Sequence, residues 1–106
     1  MNKEIKAKWL EALRSGNYAK AEGSLKKQNY KGTLCYCCLG VLQELLHPEE
    51  FTHRSGVFRA GLLFGFPTET VTIEAQLDRT DQRRLAYIND NSQGFNDVIK
   101  YIEENL

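Results

Sequence analysis

Hydrophobic and polar residues follow a helical period over the first fourteen positions of the chain. The apolar positions of this stretch are Ile5, Trp9, Ala12 and Leu13. Because they fall at i, i+4, i+7 and i+8 with lysines between them, they predict an amphipathic helix over residues 2–14. Asn2 precedes the first turn as a suitable cap, and Gly16 follows the last turn, where helices commonly stop.

The pattern is weaker over the next twenty residues. A helical period continues over residues 17–22, but Gly23 interrupts it, so at most a short helical turn is expected there. The segment 24–36 fits either an irregular loop or a ragged β-hairpin with Asn29 and Gly32 as turn residues. The pattern alone does not choose between these two structures.

The longest apolar stretch predicts the most buried helix of the protein. In "CLGVLQELL", residues 38–46, the apolar positions cover two adjacent helical stripes. His47 and Pro48 end this helix, because the residue before a proline is pushed away from helical backbone angles. The polar stretch 47–56 is expected to be a loop.

Alternation of apolar and polar residues predicts a β-strand in the second half of the chain. The apolar members of this alternation are Val71, Ile73, Ala75 and Leu77. They are separated by polar residues, and β-branched side chains are frequent, as in a half-exposed strand over residues 70–77. A looser alternation runs through Phe58, Ala60, Leu62 and Phe64, so the two segments predict a β-hairpin connected by residues 65–68.

Two further helices complete the predicted fold. A helix capped by Asp78 or Thr80 is expected to reach about Asn89, with Leu85 and Ile88 facing inward. A last helix buries Phe95, Val98, Ile99 and Ile102, again at helical spacing. The class is therefore α+β, with helices at both ends packed with a central buried helix and a small antiparallel β-hairpin or sheet. At 106 residues, the chain is expected to form a single domain over residues 1–106.

Composition limits the functions that the chain can have. Hydrophobic residues make up 42% and charged residues 26%, which is ordinary for a globular protein and unlike a disordered one. No apolar run approaches the roughly 18 residues needed to span a bilayer, and the N-terminus lacks the apolar stretch of a signal peptide. We therefore expect a cytoplasmic protein with no membrane partner.

The formal charge is zero but unevenly distributed. Residues 1–32 hold eight Lys and Arg against three Glu, whereas residues 33–106 hold six against eleven acidic residues. A zero total argues against a dedicated DNA-binding protein. The asymmetry can be neutralised within the chain, can steer an anionic ligand to one face, or can favour head-to-tail association into a homo-oligomer.

Three closely spaced cysteines raise the question of a metal or thiol site. The candidate ligands are Cys35, Cys37, Cys38, His47 and His53. Their spacing does not match the usual paired zinc motif, and His47 lies about 13 Å from Cys38 along the predicted helix at 1.5 Å per residue. A cysteine nucleophile would also need a nearby base, which neither histidine is placed to supply. We expect free thiols buried in the core, no metal, no catalytic residue and no enzymatic activity.

Other ligand motifs are weak or missing in the sequence. Residues 89–100 have the outline of a calcium-binding loop, but the twelfth position is Lys100 instead of the required glutamate. This stretch is better interpreted as a turn whose Asn and Ser side chains cap the final helix. No glycine motif for phosphate binding is present, so no cofactor is expected.

Part of the sequence is similar to a known group of small proteins. The stretches "YCCLGVLQELL" (36–46) and "LAYINDNSQGFNDVIKYIEENL" (85–106), together with the opening helix, resemble small phage-borne proteins. Those proteins share a Cys-Cys-Leu-Gly-Val-Leu box and a C-terminal Leu-Asn-Asp…Gly…Phe helix. This chain departs from their pattern at Gln43, where a further cysteine is common, and in its extra Cys35. The resemblance implies a phage gene product acting in the bacterial cytoplasm and implies no chemistry.

Two clusters of residues are candidates for binding. The first combines phenylalanine and arginine, the composition of a protein interface, and consists of Arg54, Phe58, Arg59, Phe64 and Phe66. The second combines cationic and aromatic side chains that could hold a phosphate or stack on a base, and consists of Lys26, Lys27, Tyr30 and Lys31.

The two clusters correspond to two hypotheses of function. In the first, this is a non-enzymatic, phage-type binding protein that inhibits or redirects a bacterial host component, such as a defence protein, by direct contact through the arginine and phenylalanine cluster. In the alternative, it sequesters an anionic, nucleotide-type small molecule through the lysine and tyrosine cluster. A thiol or metal enzyme is a third class, which requires a reactive thiolate or a stoichiometric metal.

Overall fold

A computed structural model describes residues 1–54, 57–60 and 65–106, with Arg54 described by its backbone alone. Its elements are α1 (Lys3–Arg14), β1 (Ala19–Lys20), β2 (Lys26–Gln28), β3 (Leu34–Tyr36), α2 (Cys38–Leu46), a 3-10 turn (Pro48–Glu50), β4 (Thr52–Arg54), β5 (Val57–Arg59), α3 (Glu69–Ala75), α4 (Arg79–Asp90) and α5 (Asn96–Asn105). Helices and a small sheet occur together, which confirms the α+β class. None of the described helices is long and apolar enough to cross a bilayer.

The strands form one mixed sheet in the order β1-β3-β2-β5-β4. The β1 strand runs parallel to β3, and the other neighbours are antiparallel. In this register Lys26 lies opposite both Tyr36 and Phe58, and Lys27 lies opposite Cys35 and Val57. The β2 strand therefore connects the first half of the chain to the segment around residue 58.

A hairpin joins β2 to β3, so the ragged hairpin is the correct one of the two structures predicted for residues 24–36. The side chain of Asn29 fixes its turn, because Oδ1 accepts the backbone N–H of Lys31 at 2.9 Å and that of Thr33 at 3.0 Å. Gly32 adopts a φ of 81°, a left-handed conformation that favours glycine. Both turn residues predicted from the sequence thus have that role.

Local capping signals place the ends of the helices where the sequence predicts them. Asn2 Oδ1 accepts the N–H of Ile5 at 3.0 Å at the start of α1, and Asp78 Oδ1 accepts the N–H of Asp81 at 2.8 Å at the start of α4. The predicted inward residues of α5 are all buried, as is Leu85 of α4, whereas Ile88 of α4 is half-buried against the core. These helices are confirmed.

The α2 helix forms the centre of the core, as its two apolar stripes predict. Cys38, Leu39, Val41 and Leu42 are fully buried. The helix packs against α1, α3 and α4. The indole Nε1–H of Trp9 donates to the carbonyl oxygen of Cys38 at 2.9 Å, so a buried polar group of α1 is satisfied by α2.

The strand predicted over residues 70–77 is wrong, because this segment forms α3. Thr68 precedes the helix, and its Oγ1 accepts the N–H of Val71 at 3.4 Å. Val71 and Ala75 are both fully buried, whereas Ile73 between them is 67% exposed. Two buried positions four residues apart fit a helix as well as a strand, and packing against the core decides between the two. The predicted hairpin is therefore also wrong, because its second strand is a helix. Phe58 lies in β5, which pairs with β2 and β4, whereas Leu62 and Phe64 of the predicted first strand lie outside the described residues.

Three shorter segments also differ from the prediction. Residues 17–22 contain the strand β1 instead of a helical turn, because β3 offers an open edge to pair with. The expected loop 47–56 contains the 3-10 turn and β4. In the turn before α5, the side chains of Asn91 and Ser92 bond to carbonyl groups at the end of α4, so they do not cap the final helix. Phe95 occupies that cap position without a side-chain hydrogen bond.

Candidate functional site

Cys37 and Cys38 belong to the hydrophobic core, as predicted, whereas Cys35 of β3 is buried outside that cluster, opposite Lys27. All three are buried and free. Cys37 caps α2, with its Sγ accepting the N–H of Gly40 at 3.3 Å, and Cys38 is fully enclosed. Burial raises the pKa of Cys37 to about 12 and raises the pKa of Cys38 well above its ordinary value. Neither thiol is therefore a nucleophile at neutral pH.

The start of α2 and the described acidic and histidine side chains offer no ready site for an ion. The N–H of Cys37 bonds to the carbonyl of Leu25 at 3.1 Å, and the N–H of Cys38 bonds to Oδ1 of Asn89 at 3.0 Å. These amides, which could otherwise bind an anion, are used within the chain. Over the described ranges, no group of three His, Cys, Asp or Glu residues is arranged to hold a metal.

Lys26 sits on the inner face of the sheet in an aromatic enclosure. Its Nζ lies 4.6, 5.0 and 5.3 Å from the ring centroids of Phe58, Phe51 and Tyr36. The same ammonium is 3.3 Å from Oε1 of Glu44, and the residue is only 9% exposed. Burial, together with the charge of Glu44, raises the pKa of Tyr36 to about 12, so its hydroxyl stays protonated and donates to Glu44. Lys26 is thus a structural residue.

We expect removal of the Lys26 side chain to destabilise the fold. Lys26→Ala should lower the free energy of unfolding by about 2 kcal/mol, because it removes a partly buried ion pair and three cation–π contacts. Lys27→Ala is the matched control, since Nζ of Lys27 donates to the backbone carbonyl of Glu22 at the surface, and its effect on the free energy of unfolding should stay within about 0.5 kcal/mol. Equal losses in urea titrations of the two variants would contradict this role of Lys26.

The structure does not bring the lysine and tyrosine cluster together. Lys26 and Lys27 are adjacent in β2 and therefore point to opposite faces of the sheet. Tyr30 is 92% exposed beyond the end of β2, with Nζ of Lys31 5.6 Å from its ring centroid. The four side chains do not surround a common space.

The arginine and phenylalanine cluster is divided as well. Phe58 is half-buried on the inner face, where its ring stacks on His53 at a centroid distance of 4.4 Å. Phe66 is half-buried near α4, with the guanidinium of Arg79 4.9 Å from its ring centroid. Phe64 lies outside the described residues. Arg59 is exposed on the sheet, and the backbone of Arg54 belongs to the neighbouring edge strand.

Pairing of the strands creates a different set on the outer face of the sheet. Lys27 of β2, Val57 of β5 and the position of Arg54 in β4 stand side by side in one row. Arg59 follows two residues after Val57 and so lies on the same face. We call these four positions, Lys27, Arg54, Val57 and Arg59, the cationic sheet face. Sequence patterns do not predict that Lys27 belongs to this set. Its position beside Val57 follows only from the register of β2 with β5.

The five strands contain basic residues but no acidic residue. The sequences of the five strands are AK, KKQ, LCY, THR and VFR, with five Lys or Arg and no Asp or Glu. Lys20 pairs with Glu22 and Lys26 pairs with Glu44. Lys27, Arg54 and Arg59 are the basic residues of the cationic sheet face. Because the strand sequences contain no acidic residue, the formal charges that the strands contribute to this face are all positive.

His47 and two carboxylates form a second polar cluster, at the junction of α2 and α3. Its Nε2 lies 2.7 Å from Oε1 of Glu74, and its Nδ1 lies 3.0 Å from Oε1 of Glu49. The hydrogen bond to Glu74, then that to Glu49, raises the pKa of His47 above its ordinary value. Because Glu74 belongs to α3, its ion pair with a charged His47 stabilises the packing of that helix against the end of α2.

The hydrogen bonds of His47 to Glu74 and Glu49 predict that the stability of the fold depends on pH near neutrality. Since the folded pKa of His47 is raised, its contribution is fully present below the unfolded pKa of about 6.5. It is lost as the pH rises above that value and through the folded pKa. Urea titrations from pH 5.5 to 8.5 should show this loss in the wild type and not in His47→Gln. An NMR titration should give a larger pKa decrease for Glu74→Gln than for Glu49→Gln, and the opposite order would contradict the assignment.

Comparisons with known proteins place the chain in a family. A comparison with curated proteins and one with solved structures gave no significant match. Residues 1–60, which run from the start of the chain through α1, α2 and the whole sheet, match a protein-family model described as a domain of unknown function (DUF8296). Since this match covers more than half of the chain, the protein belongs to the DUF8296 family.

Proposed function

We propose that this protein is a non-enzymatic, phage-type binding protein that inhibits or redirects a bacterial host component by direct contact. The observation that carries this proposal is the cationic sheet face, on which three basic positions from three adjacent strands meet without a strand carboxylate. Charges of one sign concentrated on one face steer a complementary surface into contact and favour one orientation of docking. The partner surface is therefore expected to be acidic.

A protein partner fits this face better than a nucleic acid does. The chain as a whole has no net charge, with fourteen acidic residues balancing fourteen basic ones. The affinity of long polyanions depends on many phosphate contacts, and this face offers only three of the fourteen basic residues. Val57, half-buried in the centre of the basic row, supplies an apolar centre of the kind that protein interfaces have.

The phage and host parts of the proposal rest on the sequence resemblance. The Cys-Cys-Leu-Gly-Val-Leu box and the C-terminal helix are the features similar to small phage-borne proteins. The cationic sheet face lies within residues 1–60, the segment that matches the family model. The resemblance is what supports a host target in the bacterial cytoplasm, and the family match adds nothing to this part of the proposal.

Capture of a host protein with charge-reversed variants tests the proposal. Tagged wild-type protein, incubated with nuclease-treated bacterial lysate, should retain one host protein, and the double variant Lys27→Glu/Arg59→Glu should lose it. The matched control is Lys8→Glu/Arg83→Glu, which reverses two exposed cations on α1 and α4 and changes the net charge equally. Retention should also weaken as salt is raised, because exposed charge pairs are screened.

The folded state of each variant must be compared in the same experiment. Both double variants should have thermal midpoints close to the wild type, since the substituted residues are at the surface. If the sheet variant retains the host protein as well as the control does, the cationic sheet face is not the contact surface. If nothing specific is retained by the wild type, or if nuclease abolishes retention, the proposed protein partner is wrong.

A further inference from the structure

A groove between α3 and the start of α4 is not used by the proposed function. It has a volume of about 610 Å³, and its lining includes Phe66, Pro67, Ile73, Arg79 and Gln82. This volume is within the range of small-molecule sites. The groove lies outside the residues that match the family model, and its chemistry differs from that of the cationic sheet face.

The lining of the groove contains a buried polar group without a partner. Gln82 is 3% exposed, and its Nε2 donates to the carbonyl oxygen of Leu77 at 2.9 Å. In the part of the chain that the structure describes, the Oε1 of the same amide accepts no hydrogen bond. Buried amide oxygens nearly always have a donor, but this oxygen has almost no exposed surface of its own, so a bound molecule can donate to it only after the Gln82 side chain turns toward the groove.

The remaining walls combine an apolar surface with a cation. Ile73 is 67% exposed and lines the groove, so it offers an apolar surface to a bound molecule. The guanidinium of Arg79 lies over the ring of Phe66 and forms no ion pair with any described residue. Its planar group of donors is suited to a carboxylate or a phosphate. Glu69 also lines the groove, so an anionic group is favoured next to Arg79 and away from Glu69.

We propose that this groove binds a small, flat heteroaromatic anion whose ring carries an N–H donor. The ring packs against Ile73 and Phe66, its N–H donates to Oε1 of Gln82, and its anionic group pairs with Arg79. Guanosine monophosphate has this combination of features and is the probe for the test. The proposal is independent of the cationic sheet face, so either can fail without the other.

Binding is measured by NMR titration of the full chain with guanosine monophosphate, guanosine and inorganic phosphate. Guanosine monophosphate should bind saturably, with shift changes concentrated in residues 66–82. Arg79→Gln should lower the affinity for guanosine monophosphate about tenfold or more, because a charge-assisted hydrogen bond is lost. The affinity for guanosine, which has no phosphate, should not change. The matched control is Arg83→Gln, an exposed arginine of α4 outside the lining, which should bind both probes as the wild type does.

A second variant tests the buried amide. The NMR spectrum of Gln82→Met first shows whether the variant is folded. Its affinities for guanosine monophosphate and for guanosine should fall by the same factor, because the ring N–H loses its acceptor in both ligands. Several results would overturn the proposal: no saturable binding of guanosine monophosphate to the wild type, shift changes at residues 26–31 instead, or equal effects of Arg79→Gln and Arg83→Gln. Phosphate that binds as tightly as guanosine monophosphate would also overturn it, since the ring would then contribute nothing.

Discussion

Gly40→Ala is expected to destabilise the protein severely, because the added methyl group has no space. A Cβ built on Gly40 would lie 1.7 Å from the carbonyl oxygen of Leu25 and 2.5 Å from its carbonyl carbon. Neither backbone atom can move freely, because that carbonyl accepts the N–H of Cys37 and Leu25 is itself buried. We expect a loss of about 4 kcal/mol or more in the free energy of unfolding.

A second glycine provides the control for backbone conformation. Gly23 has a φ of 73°, and a Cβ added there meets nothing within 4 Å. Gly23→Ala should therefore cost only the strain of a left-handed alanine, about 1–2 kcal/mol. Urea titrations followed by circular dichroism measure both variants. If Gly40→Ala were no more destabilising than Gly23→Ala, the close packing of α2 on the backbone of Leu25 would be wrong.

Asn89→Ala is expected to cause the next largest loss in the free energy of unfolding. Asn89 is fully buried, and its Oδ1 accepts the N–H of Cys38 at 3.0 Å while its Nδ2 donates to the carbonyl of Ala21 at 2.9 Å. One amide thus connects α4, the start of α2 and the residue after β1. Alanine leaves both backbone groups buried without a partner, so we expect a loss of about 3 kcal/mol.

The neighbouring Asn91 is the control for this variant. It is exposed, and its Nδ2 donates to the carbonyl of Tyr87 at the end of α4. Asn91→Ala should cost about 0.5 kcal/mol, as surface substitutions usually do. Asn89→Asp should also be strongly destabilising, since a carboxylate cannot donate to Ala21 and would be buried beside Asp90. Equal urea midpoints for Asn89→Ala and Asn91→Ala would contradict the bridging role.

The helices could be predicted from the sequence because their signals are local. Asn2 and Asp78 cap helices within three residues of themselves, and the stripes of α2 and α5 need no knowledge of distant partners. The strand prediction for residues 70–77 is wrong because the deciding signal there is not local. Val71 and Ala75, the buried positions of α3, satisfy both the helical and the strand period, and only packing against the core distinguishes the two.

The sheet and its outer face could not be predicted in this way. Each strand has two or three residues, too few for an alternation to be recognised, and several are mostly polar. The pairing of Lys27 with Val57 joins positions thirty residues apart, so their neighbourhood follows from the tertiary structure. The composition of the segment around Phe58 and Arg59 suggested an interface, but it did not show that these adjacent residues lie on opposite faces.

The buried amides were missed because apolar patterns do not reveal them. Gln82, Leu85 and Asn89 follow the spacing i, i+3 and i+7 on α4, and all three are buried. A search for polar residues that continue an apolar stripe would have identified both amides. Gln43 of α2 is a similar case, since it is fully buried and accepts the N–H of Thr68 at 2.9 Å.

Lysine acylation of the free protein and of the complex isolated from bacterial lysate tests the proposed contact most directly. Lys27 should react in the free protein and be protected in the complex. Lys8, exposed on α1, should react equally in both states, and the buried Lys26 should react slowly in both. If Lys27 reacts equally in the free and bound states while another part of the surface becomes protected, the cationic sheet face is not where the partner binds.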